Sequence, residues 1–378
     1  MKIAIAAEAE AGEERVAATP DTVKKLAALG AAVAVVPGAG TGSGVTDADF
    51  AAAGATLAAD ATRDADLILK VRRPGAAELR DYRRGATVIA MMDPYGADDA
   101  LRAMADAGLT TFAMELMPRI TRAQSMDVLS SQANLAGYRA VVEAAAEYGR
   151  ALPMMMTAAG TVPAAKVFVM GAGVAGLQAI ATARRLGAVV TGTDVRPAAK
   201  EQVESLGAKF IAVEDEEFRQ AETAAGYAKE MSAEYQAKQA ALVAEHIRKQ
   251  DIVITTALIP GRPAPRLITA QMVAGMRPGS VIIDLAVERG GNVEGAKAGE
   301  VVAIGGVKIV GHVNMAGRIA ASASALYARN LLTFVDTLID KSAKTLAIDW
   351  NDELVQATAL THDGRIVHPR FGADRNAA

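Results

Sequence analysis

The chain contains no cysteine, which removes disulfides, thiolate catalysis and cysteine-ligated metal, and is compatible with a cytosolic protein. Aromatic residues are scarce at 4%, so the cores must be built from Ala, Val, Ile, Leu and Met. That composition suits helices packed on parallel sheets better than an aromatic-rich β-sandwich. Only four histidines occur, none with metal-ligand spacing, and no nucleophile elbow suggests a Ser–His–Asp arrangement. A net charge of −3 gives no reason to expect nucleic acid or an anionic membrane as partner. The N-terminus MKIAIAAEAEAGEER carries acids where a signal peptide is apolar. The longest lightly charged region, Ala151 to Ala183, is broken by Pro153, Pro163 and glycines and contains Lys166. It fails as a membrane span, which needs roughly 20 mainly apolar residues in one helix. A soluble chain without direct membrane insertion is expected. With 378 residues it has room for about two domains, each with a core of its own.

The stretch Lys166 to Arg196, KVFVMGAGVAGLQAIATARRLGAVVTGTDVR, is the strongest positive signal. A short apolar strand leads into Gly171, Gly173 and Gly176 at G-x-G-x-x-G spacing, then an Ala-rich helix and a second strand ending at Asp194. In a dinucleotide site Gly171 permits the tight turn, Gly173 lets backbone approach the pyrophosphate, and Gly176 lets helix pack closely on strand. The helix N-terminus offers unpaired N–H groups and a positive dipole end to phosphate. Asp194 lies 23 residues after Gly171, near the roughly 20-residue spacing of the acid that binds the adenosine ribose.

Before this stretch, strands are expected at Lys2–Ala6, Ala32–Val36, Leu67–Val71, Thr87–Met92 and Thr110–Glu115, with a helix over Asp21–Leu29 stopped by Gly30. Strands alternating with helices imply a first α/β unit. Its Pro37–Gly44 segment, PGAGTGSG, imitates the glycine motif, but Val45-Thr46-Asp47 reads as an extended lead-in and helix cap, so the segment is expected to be a flexible loop. Pro118 to Asn134, PRITRAQSMDVLSSQAN, is polar and poor in core-filling residues. It reads either as a surface loop with a helix cap or as a loop held at a cleft, and composition leaves both open. A helix capped near Ser130 or Ser131 should follow to about Tyr148.

The second unit's strands are expected at 167–170, 188–193, 209–213, 252–256, 281–285 and 308–311, about the number of a doubly wound dinucleotide-binding sheet. The connection Glu214–Gln250 is long and charged. Ala233–Ile247 reads as helix, leaving Glu214–Met231 as a candidate mobile lid. Ala323–Leu338 reads as a helix returning the chain to the first domain, where Thr345–Trp350 and Val355–Leu360 are expected to pair antiparallel around Asn351-Asp352, with a further turn at Asp363-Gly364.

Among isolated residues, His246 is expected to be solvated on a charged helix, and His362 and His368 to lie beside turns. His312 follows a strand and is placed either at a cleft or on plain surface. Arg15 and Lys70 are candidate anion binders; Lys70 interrupts the apolar run LILKV and is otherwise a strand-end lysine. Asp284 closes the strand SVIID and reads as a cap of the following turn.

With these segments in view, the sequence resembles the NAD(H)-binding components of proton-translocating NAD(P) transhydrogenases over essentially its whole length. The likeness is densest in MELMPRITRAQSMDVLSSQANLAGYRAV, PMMMTAAGTVPAAKVFVMGAGVAGLQAIATARRLGA, AGYAKEM, TTALIPGRPAP and GSVIIDLAVE. The resemblance implies two Rossmann-like parallel-sheet α/β domains, residues 1–129 plus 320–378 and residues 130–319, with NAD(H) in the cleft between them, and a homodimer. It implies that Arg119, Ile120, Thr121, Arg122, Gln124, Asp127, Ser130 and Tyr138 serve the nicotinamide end, with Arg119, Gln124, Asp127 and Ser130 in the catalytic loop. By the same likeness Gly171, Ala172, Gly173, Val174 and Gly176 form the pyrophosphate turn. Asp194, Val195 and Arg196 take the adenosine ribose side, Tyr227 the tip of a closing loop, and Gly226, Gln239 and Leu258 further contacts. NADP(H) would be held by a partner subunit. Proton movement would belong to separate membrane-spanning subunits, making this chain peripheral on the cytoplasmic face of the membrane. The rival family, alanine dehydrogenase, needs an active-site His shortly after the fourth strand; Met91-Met92-Asp93-Pro94-Tyr95 stands there, and Glu288 stands where that family carries an aspartate. Amino-acid oxidation needs acid–base help at the amine, whereas transfer between two nicotinamides needs close, oriented rings. A non-catalytic NAD(H) sensor is the third alternative.

Overall fold

The computed structural model describes residues 1–220 and 231–372; Gly226, Tyr227 and most of the expected lid therefore lie outside the described residues. The chain divides into two units, one of residues 1–132 together with the chain from Ala316 onward, the other of residues 133–315.

In the first unit the apolar runs become strands within one or two residues of expectation: β1 (Lys2–Ile5), β2 (Ala32–Val35), β4 (Leu67–Arg72), β5 (Thr87–Met91) and β6 (Thr110–Ala113), with an unanticipated short β3 (Thr56–Leu57). Apart from the exposed β3, these strands are buried on both faces. Ile3, Ile5, Leu67 and Leu69 pack into one core while Ala4, Ile68, Val88 and Ala90 pack into another, which is why they read as continuous rather than alternating hydrophobic runs. Helix α1 (Pro20–Ala28) is started by Thr19 in a capping box with Pro at its first turn. Thr46 and Asp49 cap α2 (Asp47–Ala52) in the same way, and α3 (Asp98–Asp106) precedes β6.

Helix α4 (Val128–Glu147) begins earlier than expected. Its first turn is closed by Asp127, whose carboxylate accepts the Ser130 N–H at 2.9 Å and the Ser130 hydroxyl at 2.6 Å, so Ser130 is the capped residue rather than the cap. After α4 the second unit continues with an exposed hairpin, β7 (Met155–Thr157) and β8 (Gly160–Val162). Next come β9 (Lys166–Met170), α5 (Val174–Arg185), β10 (Val189–Thr193), α6 (Ala199–Ser205), β11 (Lys209–Phe210), α7 (Glu216–Arg219) and α8 (Ala233–Ile247). Beyond these lie β12 (Ile252–Thr255), α9 (Ala270–Ala274), β13 (Val281–Asp284), β14 (Val301–Ile304) and β15 (Val307–Val310). Strand β14 lies outside the expected set; it pairs antiparallel with β15 at the sheet edge. Helix α7 corrects the lid at its near end. Asp215 caps it, and Phe218 is buried beside Phe210 and Tyr235 with ring centroids 6.1 and 6.4 Å away, so that segment is packed.

The chain then returns through α10 (Ala320–Thr337) to the first unit. The expected pairing of 345–350 with 355–360 does not form. Instead β17 (Thr345–Leu346) pairs with β16 (Ile339–Asp340), and residues Glu353–Thr358 are helix α11, capped by Asp352. That aspartate, which in sequence reads as a turn residue, is a helix start, and Leu354, Val355 and Thr358 are the buried face. Strand β18 (Ala359–His362) joins β6 antiparallel and turns through Asp363-Gly364, both in the left-handed region, into β19 (Arg365–Ile366).

Among the described residues the first sheet runs β3-β2-β1-β4-β5-β6-β18-β19 and the second β11-β10-β9-β12-β13-β15-β14. Each contains the doubly wound order, in which two strands lie on one side of the first and three on the other, all parallel. In such sheets ligands bind beyond the carboxyl ends of the strands, where the order reverses. In the second unit that point lies between β9 and β12, which is where the glycine motif sits. The Pro37–Gly44 segment follows β2 and is not at a reversal. Nor is it a loose loop: the buried Ser43 hydroxyl bonds Glu14 O at 2.9 Å and the Ser324 hydroxyl at 2.7 Å.

Candidate functional site

Gly171 leaves β9 with φ +104°, a conformation side chains resist, and its missing Cβ would lie 2.4 Å from the Thr256 hydroxyl. That hydroxyl is within hydrogen-bond distance of the carbonyls of Met170 and Gly171, at 3.3 and 3.2 Å. Thr256 thus braces the turn, a role the glycine spacing does not reveal. Gly173 stands at the N-cap of α5 and Val174 begins the helix. A Cβ on Gly176 would lie 1.7 Å from the Gly171 carbonyl oxygen, and one on Gly137 of α4 would lie 2.1 Å from the Ala175 carbonyl oxygen. Glycine at these positions lets α5 close onto β9 and α4 onto α5. At Gly173 a Cβ would meet nothing within 4 Å: the turn is tight on the protein side and open on the other.

Asp194 follows β10 with its side chain 8% exposed. One oxygen accepts the Ala172 N–H of the glycine turn at 2.7 Å; Arg196 donates to both oxygens, through Nε at 2.9 Å and Nη2 at 3.0 Å. Val174, Val195 and Leu258, which follow three adjacent strands, expose 40%, 51% and 52% of their surface, which leaves apolar side chains uncovered around the turn. Gln239 of α8 is tied to the backbone N–H of Val213 at 2.9 Å and to the Thr193 hydroxyl at 3.3 Å. On the far side of the turn, buried Asn292 holds Ala257 and Pro265 through its amide. Asp284 accepts N–H groups from Ala286 and Val293, so it caps the turn after β13 as expected.

The polar loop of the first unit is a 3-10 turn, Thr121–Met126. Ala123 and Met126 are buried in the core while Arg119, Thr121, Arg122, Gln124 and Ser125 are exposed and Ile120 is partly buried. The spacing of three puts Ala123 and Met126 on one side of the turn. Asn330 of α10 holds the loop from behind, donating to Ser125 O at 2.7 Å and accepting from the Ser131 hydroxyl at 2.8 Å. The available signal for Asn330 is a polar residue interrupting the apolar face Tyr327, Leu331, Phe334. Arg122 forms a double contact with Asp352, at 2.8 and 2.5 Å, which ties the loop to α11. In the second unit's share of α4, Tyr138 is 43% exposed.

In the first unit the corresponding reversal, between β1 and β4, is filled by the chain itself. Glu8 accepts N–H groups from Val71 and Arg72 of β4 at 2.7 and 3.1 Å. Lys70, fully buried, donates to Glu78 at 2.6 Å and lies 3.5 Å from Glu8, so it is neither an edge nor a strand-end lysine. Arg15 is likewise buried against Glu13, at 2.7 and 2.6 Å, and Gln132 at 2.8 Å. Both candidate anion binders therefore have their charge compensated by internal carboxylates. Burial alone would raise the Glu13 carboxyl, but hydrogen bonds and charge from Arg15, with the charge of Arg72, hold it down at about 2. A depressed carboxyl contributes stability in full above its ordinary 4.5, and this is lost as pH falls toward about 2. Glu13→Gln is expected to cost roughly 3 kcal/mol in urea unfolding near neutral pH, because it leaves Arg15 buried without its carboxylate. The deficit should narrow as pH falls from 4.5 toward 2; an unchanged midpoint at pH 7 would refute the assignment.

The histidines have local partners. His246, expected to be solvated, is half-buried, 2.9 Å from the Thr191 hydroxyl and edge-on to Phe168; burial lowers its pKa. His362 packs on Trp350, and His368 accepts the Arg370 N–H at Nδ1. His312 lies 3.9 Å from buried Glu143 of α4. Where a dehydrogenase-like histidine would stand, Met92 is buried and Asp93 takes a left-handed φ of 44°. Both backbone N–H groups donate to Glu115, and the Asp93 carbonyl accepts from Arg73. Glu288 is exposed on a 3-10 turn. Among the described residues no cluster suits a metal ion, and no helix is long and apolar enough to cross a membrane.

Comparison with known proteins agrees with this architecture. The family described as alanine dehydrogenase/PNT, N-terminal domain, matches residues 4–136, and its C-terminal domain counterpart matches residues 140–369. An NAD(P) transhydrogenase alpha-subunit chain of Rhodospirillum rubrum is 56% identical over 377 residues, covering 98% of each chain. Alanine dehydrogenase of Halomonas elongata is 32% identical over 379 residues, covering 97% of this chain and 95% of that one. Among solved structures, transhydrogenase from Sinorhizobium meliloti superposes with a TM-score of 0.90 at 66% identity, covering 97% of this chain and all of that one. Matched along nearly its whole length in sequence and in fold, this chain belongs to the alanine dehydrogenase/PNT family.

Proposed function

We propose that the chain is the NAD(H)-binding subunit of a proton-translocating NAD(P)⁺ transhydrogenase, passing hydride directly between its own NADH and NADP⁺ held on a partner subunit. The observation that carries this is the second unit's glycine turn: tight where α5 meets β9, open where a pyrophosphate would lie, and sited at the reversal of strand order. The 56% identity to a transhydrogenase subunit, against 32% to an alanine dehydrogenase, supports the choice within the family.

In this proposal, backbone N–H groups at the start of α5 take the pyrophosphate. Gly171, Ala172, Gly173, Val174 and Gly176 form its cradle, and Asp194, Val195 and Arg196 border the adenosine ribose. Gln239, Leu258, Gly226 and Tyr227 are further nucleotide contacts. Arg119, Ile120, Thr121, Arg122, Gln124, Asp127, Ser130 and Tyr138 serve the nicotinamide end. Gln124 orients the carboxamide, while Asp127 and Ser130, bonded to each other, fix where the loop meets α4. Hydride transfer between two nicotinamides needs no proton donor, only aligned rings, which fits the buried methionine and backbone-clamped aspartate at Met92-Asp93. Separate membrane subunits carry the protons, and the chain works as a peripheral subunit on the cytoplasmic face of the membrane. Two copies pair; the exposed hairpin with Met154, Met155 and Met156 at 62%, 42% and 81% exposure is an apolar surface suited to pairing.

The test is an NADH oxidation assay of the purified chain in two arms, one with NADP⁺ and an NADP(H)-binding partner, the other with pyruvate and ammonium. Turnover only in the partner arm is expected. Oxidation in the pyruvate arm would establish an amino-acid dehydrogenase, and silence in both, with NADH bound, a sensor.

A further inference from the structure

Asp194 and Arg196 sit two residues apart in the segment leaving β10, and Asp194 also accepts the Arg196 N–H at 2.9 Å, closing a local turn. Nε meets one carboxylate oxygen and Nη2 the other, a parallel fork that is the strongest geometry an arginine and a carboxylate adopt. The pair also grips the glycine turn at one residue. Asp194 takes the Ala172 N–H at 2.7 Å and Arg196 Nη2 donates to the Ala172 carbonyl at 3.3 Å.

From this geometry we infer that Arg196 is a specificity-determining residue which Asp194 keeps out of use. This rests on the nucleotide site proposed above. An arginine just past the second strand is positioned to receive the 2′-phosphate of NADP(H). Recognition of phosphate by arginine depends on the same two-pronged fork, and here that fork is spent on Asp194. A 2′-phosphate therefore meets a compensated ion pair instead of a cation, with a nearly buried carboxylate beside it. The ribose of NAD(H), carrying hydroxyls in place of the phosphate, brings no like charge to the carboxylate. Asp194 thus excludes the phosphorylated nucleotide twice, by its own charge and by occupying the residue that would otherwise welcome it. For a subunit whose hydride partner is NADP(H), such exclusion keeps the two nucleotides on separate chains.

The test is equilibrium titration of the full chain with NADH and with NADPH, followed by nicotinamide fluorescence, for the parent, Asp194→Asn, Arg196→Gln and the double variant. Asn retains an oxygen to accept the Ala172 N–H while losing the charge that holds the fork; Asp194→Ser serves if thermal melting shows the Asn protein unfolded. In Asp194→Asn, NADPH is expected to bind about tenfold more tightly than in the parent and NADH about tenfold more weakly. In the double variant the NADPH gain should disappear, and Arg196→Gln alone should leave NADPH as weak as in the parent. A gain that persists in the double variant would overturn the inference, leaving the Asp194 charge alone responsible. A parent that binds neither nucleotide would instead remove the nucleotide site itself, and the inference with it.

Discussion

Gly173→Ala is expected to fold as the parent does and to lose about 100-fold in NADH affinity. The backbone at Gly173, φ −77° and ψ −170°, suits any residue, and the added methyl would touch nothing within 4 Å. Only a pyrophosphate drawn close to the start of α5 would collide with it. Gly176→Ala provides the contrast. Its methyl would fall 1.7 Å from the Gly171 carbonyl oxygen, and since backbone cannot step aside as a side chain can, α5 must lift from β9. That variant is expected to lose several kcal/mol of stability and NADH binding together. Denaturant unfolding and NADH titration of the two proteins separate the cases. Parent-like affinity in Gly173→Ala would mean that the turn does not hold pyrophosphate.

Gln124→Ala should slow partner-dependent hydride transfer about 100-fold while changing NADH affinity less than about threefold. Its side chain is exposed on a turn whose anchors, Ala123 and Met126, lie in the core, so truncation leaves the loop in place. Asp127→Ala differs, because both carboxylate oxygens are committed to Ser130. It should cost about 1 kcal/mol of stability as a lost helix cap and slow transfer through a displaced loop. That outcome would make Asp127 a positioning residue. Single-turnover transfer rates beside NADH dissociation constants decide this; equal losses in rate and affinity for Gln124→Ala would make it an ordinary binding residue.

The features legible in the sequence are those where one local pattern has one physical meaning. Apolar runs such as LILKV and SVIID become strands because both faces of each sheet are covered, and the glycine spacing marks a strand–turn–helix because only glycine fits where α5 meets β9. What stays hidden depends on distant partners. Asp352 looks like a turn residue but caps α11, since nothing local shows that Leu354 and Val355 face a core. Lys70 and Arg15 look like free cations because Glu78 and Glu13 meet them only through buried side-chain geometry. The apparent glycine motif at Pro37–Gly44 is excluded by topology: it follows β2, away from the reversal between β1 and β4. Arg196 is visible as a residue, but its fork on Asp194 is not, because that depends on side-chain geometry.

Direct hydride transfer is tested most plainly with NADH deuterated at the transferred position of nicotinamide C4, mixed with the chain, NADP⁺ and an NADP(H)-binding partner. The deuterium is predicted to appear in NADPH, with no transfer when the partner is withheld. Oxidation of the labelled NADH that needs pyruvate and ammonium, with the deuterium ending in alanine, would contradict the account.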